Sequence, residues 1–165
     1  MNSSTQILVL GIGNVLMGDE GIGVHTIEKL QLQKFPSNIV LLDGGTGGFH
    51  LLSLFQEYPT IILIDATMDG QPDGTVRVLQ PKFASDFPKT LSAHEIGLRD
   101  LIESAALLSS LPKIYLITIS ISTIQPMTME MSSKVQESIS EIERTVFEIL
   151  NNIKKVEVTL KVSST

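Results

Sequence analysis

A chain of 165 residues is one domain by length, and it can bury roughly 70% of the surface its unfolded form exposes without covalent staples. It has no cysteine, which excludes disulfides, thiolate metal sites, iron–sulfur clusters and a cysteine nucleophile. Its formal net charge of −6 argues against nucleic acid, which asks for basic patches.

The first residues, Met-Asn-Ser-Ser-Thr-Gln, carry no basic region. The apolar run that follows is too short for a signal peptide or a membrane span. A soluble cytoplasmic protein, not inserted in a membrane, is the expectation. Ile7 to Leu10 reads as a buried parallel strand. It runs into Gly11-Ile12-Gly13-Asn14-Val15-Leu16-Met17-Gly18-Asp19-Glu20-Gly21-Ile22-Gly23. This is not a dinucleotide turn: Leu16 stands where the third glycine belongs, and two acids close the loop. Val24, Ile27 and Leu30 then recur at helical spacing, and Pro36 stops that helix.

Ile39 to Leu42 is the second buried strand, ending at Asp43-Gly44-Gly45. Phe49 to Phe55 is a short helix. Ile61 to Ile64 is the third strand, ending at Asp65. Asp69-Gly70 and Pro72-Asp73-Gly74 are turn signals. Thr75 to Gln80 follows with the alternation of a half-buried strand. The connection leading to it is too short for a helical crossover, so it should be antiparallel. Leu98, Leu101, Ile102 and Ala105 mark a helix, Ile114 to Ile121 a fifth strand, and Val135, Ile139, Ile142, Val146 and Ile149 the stripe of a long last helix. The tail Val156 to Val162 alternates with period two, as an edge strand or an extension would.

Alternating strands and helices predict an α/β fold, an open sheet with helices on both faces. The whole chain, 1–165, reads as a single domain, with a core of about 6–150 and a tail at 154–165. The usual reversal places the first strand between the second and third, so the crevice opens beyond the carboxyl ends of the first and third strands. Those ends lead to Glu20 and Asp65.

Several side chains there have both a plain and a chemical reading. Asp19 and Glu20 can cap and complement a helix start, or Glu20 can bind metal. Asp65 can cap a turn or stand as a ligand at the crevice floor. Ser92 and Glu95 form a capping box that sets His94 in a first helical turn, either exposed or with a nitrogen lone pair available to a metal. Two carboxylates and an imidazole suit a divalent ion such as nickel or zinc. His25 and His50 sit within helices and read as structural. Asp43 can act as acid or base, and Gly44, Gly45 and Thr46 make either a flexible turn or a wall that a peptide backbone can approach. Met127, Met129 and Met131 read as core or gap-filling residues. There is no His-Glu-x-x-His and no Gly-x-Ser-x-Gly, and Ser92 beside His94 is not a triad.

Taken in series, Gly11 to Leu16, Asp19 to Gly23, Leu42 to Thr46, Ile64-Asp65-Ala66 and His94 to Leu98 resemble the hydrogenase maturation proteases. Order and spacing fit from about residue 6 to about residue 150. The resemblance implies a three-layer α/β/α sandwich around a twisted, five-stranded, mostly parallel mixed sheet of phosphorylase/hydrolase type. It implies metal binding by Glu20, Asp65 and His94. The implied activity is that of an endopeptidase which removes the C-terminal extension of a nickel–iron hydrogenase large-subunit precursor after nickel insertion. The nickel is contributed by the substrate and recognised as a tag, and zinc or cadmium would substitute in a crystal. Asp43 or Asp65 is the candidate catalytic carboxylate of an aspartyl-type or metal-assisted mechanism, with Gly44, Gly45 and Thr46 as substrate contacts. The partner is the precursor and the protein a monomer. Ile124-Gln125-Pro126 lacks the Pro-Glu pair of some relatives, and the tail after Lys155 has no counterpart. The alternatives are a hydrolase with a resident metal acting on another substrate, and a non-enzymatic nickel-site chaperone.

Overall fold

A computed structural model describes residues 5–88, 98–108 and 110–163, with side chains described to residue 156. Five strands, β1 (Ile7–Gly11), β2 (Ile39–Asp43), β3 (Thr60–Thr67), β4 (Val76–Leu79) and β5 (Lys113–Ser120), form one sheet in the order β2-β1-β3-β5-β4. All neighbours are parallel except β4, which pairs antiparallel with β5. The chain therefore leaves β1 for one side of the sheet and returns from β2 to the other, putting the reversal of strand order at β1 and β3 as expected.

Strand alternation sorts the apolar residues onto two faces. Ile7, Val9, Ile62, Ile64, Ile117 and Ile119 pack against α1 (Ile22–Leu30) and α4 (Ser133–Ser163). Leu8, Leu10, Ile61, Leu63, Ile114 and Leu116 pack against α2 (Leu52–Glu57) and α3 (Leu98–Leu108). The inner strands are apolar on both faces because both are covered. The predicted stripes are the buried ones, Leu98, Leu101, Ile102 and Ala105 on α3 and Val135, Ile139, Ile142, Val146 and Ile149 on α4. Among the described residues no helix is long and apolar enough to cross a membrane.

Three expectations change. The tail is not a strand, because α4 continues unbroken to Ser163. No glycine or proline follows Pro126, so nothing stops the helix, and local alternation has no partner strand to reward it. β3 does not end at Asp65 but runs two residues further, paired with β5 as far as Thr67↔Ser120. Asp65 is a strand residue, not a turn cap. Met127 and Met129 are exposed, and of the three methionines only Met131 packs on the core. Met127 has φ 62, and Thr128 bridges to Met17, which leaves its two neighbours facing solvent.

Candidate functional site

The carboxyl ends of three adjacent parallel strands are laced together by backbone hydrogen bonds. Gly44 N–H donates to Gly11 O (2.8 Å), Gly13 N–H to Gly45 O (2.8 Å) and Ile12 N–H to Ile64 O (2.9 Å). The first turn of α1 then lies directly on this lacing. A side chain at Gly23 would run into the carbonyls of Ile12 and Ile64, so only glycine fits there. The glycines of the opening loop thus serve close packing within the chain.

Between β1 and α1 stands the 3-10 turn Gly18–Gly21, packed against β3. Its Glu20 is 2% exposed, and Glu20 Oε2 accepts the Asn14 N–H at 2.8 Å. Asp65 is fully buried (0%) one residue beyond the level at which Gly11 pairs with Ile64. It alternates with Ile61 and Leu63, so it points to the α2–α3 face. Its register partner on β5 is Thr118, another buried side chain. The two acids read from the sequence are thus buried together at one end of the sheet, a setting in which a carboxylate needs partners.

His94 lies outside the described residues, with Ser92 and Glu95. Leu98, four residues on, is buried with Ile61 and Leu63, on the face towards which Asp65 points. Among the described residues no three metal-ligating side chains cluster.

Asp43 is placed differently. It alternates with Ile39 and Leu41, which belong to the opposite face from Asp65. It is exposed, and its Oδ1 accepts the Gly45 N–H at 2.7 Å, the Asx geometry that shapes a turn. Gly45, with φ 53, has open space where a side chain would stand, and Thr46 is exposed. His25 lies on α1 and contacts Glu28 at 3.1 Å, while His50 is exposed in the 3-10 turn Phe49–Leu51.

Asp19 does not cap α1. The N-cap there is Gly21, without a side-chain bond. Instead Asp19 Oδ1 accepts the Ser132 N–H (2.6 Å), and its Oδ2 accepts Gln125 Nε2–H (2.8 Å). Gln125 Oε1 in turn accepts the Asp19 N–H (2.8 Å). Both polar ends of the Gln125 amide engage Asp19, Nε2 also donates to Thr123 Oγ1 at 3.2 Å, and Gly18, with φ 58, makes room for the side chain. This clamp ties the turn that carries Glu20 to the segment preceding α4. Sequence reasoning missed Gln125 because 106 residues separate it from Asp19. It missed Thr118 because the run Ile117-Thr118-Ile119 reads only as strand.

Residues 24–149 match the family model described as hydrogenase maturation protease. The hydrogenase expression/formation protein HupD of Thiocapsa roseopersicina is 39% identical over 118 residues, 68% of this chain and 52% of that protein. The hydrogenase 2 maturation protease of Escherichia coli K12 is 34% identical over 111 residues, 66% of this chain and 68% of that protein. This chain spans about half the length of the expression/formation relatives it matches. Among solved structures, the hydrogenase maturating endopeptidase HybD from E. coli superposes with a TM-score of 0.80 at 29% identity, covering 90% of this chain and 93% of that one. The nickel–iron hydrogenase maturation protease HycI from Thermococcus kodakarensis shares the fold, with a TM-score of 0.72 at 20% identity over 91% of this chain and 95% of that one.

Proposed function

The chain belongs to the hydrogenase maturation protease family, and on that premise we propose that it is an endopeptidase which removes the C-terminal extension of a nickel–iron hydrogenase large-subunit precursor once nickel has been inserted. The observation that carries the reading is the burial of Glu20 and Asp65 at one end of the sheet, where the strand order reverses. Acids kept from water by the fold are costly unless a partner or a task retains them.

In this reading Glu20, Asp65 and His94 engage the nickel carried by the substrate. That contact holds the nearby peptide bond in place, a proximity effect. A carboxylate then removes a proton from water as water attacks the scissile carbonyl, and the proton passes to the departing amine. Asp65 is the preferred carboxylate over Asp43, because it is rigidly held within β3 beside the turn of Glu20. Gly44, Gly45 and Thr46 border the path of the substrate backbone.

The test is to incubate the protein with nickel-loaded and nickel-free precursor and weigh the products. Loss of the extension from the loaded form alone is expected, together with a folded but inactive protein for Glu20→Gln and for His94→Ala. Equal cleavage of the nickel-free form would sink the tag mechanism. Binding without mass loss would replace the enzyme by a chaperone. Metal held through dialysis in the absence of precursor would point to a resident-metal hydrolase.

A further inference from the structure

The sheet has two outer strands, and they are finished differently. β4 is four residues long and carries Arg77, which is paired with Asp69. A short strand bearing a charge is a usual way to blunt an edge. β2, Ile39-Val40-Leu41-Leu42-Asp43, has no charge before its last residue and no proline, and its four apolar residues are all half-buried. Among the described residues no strand pairs with its outer side.

The hydrogen-bonding direction of β2 follows from its ends. Ile7 N–H donates to Asn38 O, and Gly44 N–H to Gly11 O. In a parallel ladder alternate residues make both bonds to one neighbour. With the register Ile7↔Ile39, Val40 and Leu42 bond to β1, and Ile39, Leu41 and Asp43 turn their backbone groups outward. Ile39 N–H is taken by Pro36 O at 3.0 Å. The N–H and C=O groups of Leu41 and Asp43 remain as an outward row that another extended chain would complete. This row leads straight into Gly44-Gly45-Thr46, the border of the proposed site, where Gly45 leaves open space.

We propose that the outer edge of β2 is a docking strand that receives an extended, uncharged segment of the protein substrate by strand addition, ahead of the glycine turn. The inference deepens the reading above, since it rests on the substrate being a polypeptide. Backbone pairing supplies binding that tolerates many sequences, and the half-buried Ile39, Val40, Leu41 and Leu42 favour apolar side chains on the incoming strand. A second copy of this chain is the poorer occupant, because two molecules of net charge −6 repel. At about 4.8 Å per strand the docked segment lies roughly 15 Å from β3, a span of about five extended residues. The docked segment and the scissile bond should therefore be separated by that much chain.

Leu41→Pro tests this selectively. It removes an outward N–H, leaves the bonds to β1, and suits an edge strand. Leu41→Thr is the control, losing the same side-chain packing but keeping the N–H. Relative to Leu41→Thr, Leu41→Pro should raise KM for the precursor about tenfold, with kcat within about threefold. Independently, hydrogen exchange on the wild-type protein should show the Leu41 and Asp43 amides becoming protected when a synthetic peptide of the precursor's C-terminal region is added. Equal KM values with unprotected amides overturn the proposal, and so does protection that depends on protein concentration without peptide. If the precursor is not cleaved while the peptide still protects these amides, the docking strand stands and the proteolytic reading falls. If cleavage proceeds with the amides unprotected, only the docking strand falls.

Discussion

Asp43 and Asp65 each follow an apolar run of four residues, and each lies towards the carboxyl end of a strand in the parallel part of the sheet, yet the first is exposed on an outer strand and the second is fully buried on an inner one. Their backbones end up one step apart in the ladder, since Asp43 pairs with Gly11 and Ile64 does too. Their side chains face opposite sides of the sheet. Following an apolar run therefore does not by itself decide whether an acid is buried or which face it takes. Burial and facing are set by how many neighbours the strand has and by the parity of the residue along it.

The largest expected effect separates the two acids. Asp65→Asn keeps shape and should lower precursor processing by on the order of 10²–10⁴-fold, the size of a lost acid–base or metal-binding group. Single-turnover mass spectrometry measures it, and circular dichroism checks the fold. Glu20→Gln should fall in the same range, because the amide oxygen of glutamine can still accept the Asn14 N–H and preserve the turn. A processing loss for Asp43→Asn as large as that for Asp65→Asn would break the comparison.

A smaller effect is expected at the clamp. Gln125→Ala leaves the Asp19 N–H and one carboxylate oxygen without their partner. The cost should be about 1–3 kcal/mol, read as a fall in Tm of roughly 3–10 °C for a chain of this size. Processing should drop less than for Glu20→Gln, since the turn is loosened rather than deprived of its acid. A variant with unchanged Tm but fully lost processing would mean that Gln125 itself meets the substrate.

Much of this was legible in the sequence, for a physical reason. The buried strands are continuous apolar runs, the helices carry stripes at i, i+3 and i+4, Asp65 directly follows one such run, and Glu20 closes the loop that leaves another. What was not legible depends on contacts between distant segments. Gln125 is an ordinary loop residue until Asp19 is beside it. The length of β3 is fixed by β5, not by its own composition, so Asp65 reads as a terminator when it is a strand residue. The tail of α4 reads as a strand by local alternation, although no neighbour is offered for it. The facing of Asp43 needs its register with β1, which no single run supplies.

The smallest effect sharpens the reading of Asp43 itself. Its Oδ1 holds the Gly45 N–H, and asparagine keeps that acceptor while alanine does not. Asp43→Asn should therefore leave stability within about 0.5 kcal/mol, and Asp43→Ala should cost about 0.5–1.5 kcal/mol, measured by urea unfolding. If Asp43 only shapes the glycine turn, processing should follow the same order, with asparagine near wild type and alanine reduced less than about tenfold. A general base shows a different pattern. Asparagine, which keeps the turn but cannot take a proton, would then be as inactive as alanine. The two variants together thus separate a carboxylate used for its shape from one used for its charge.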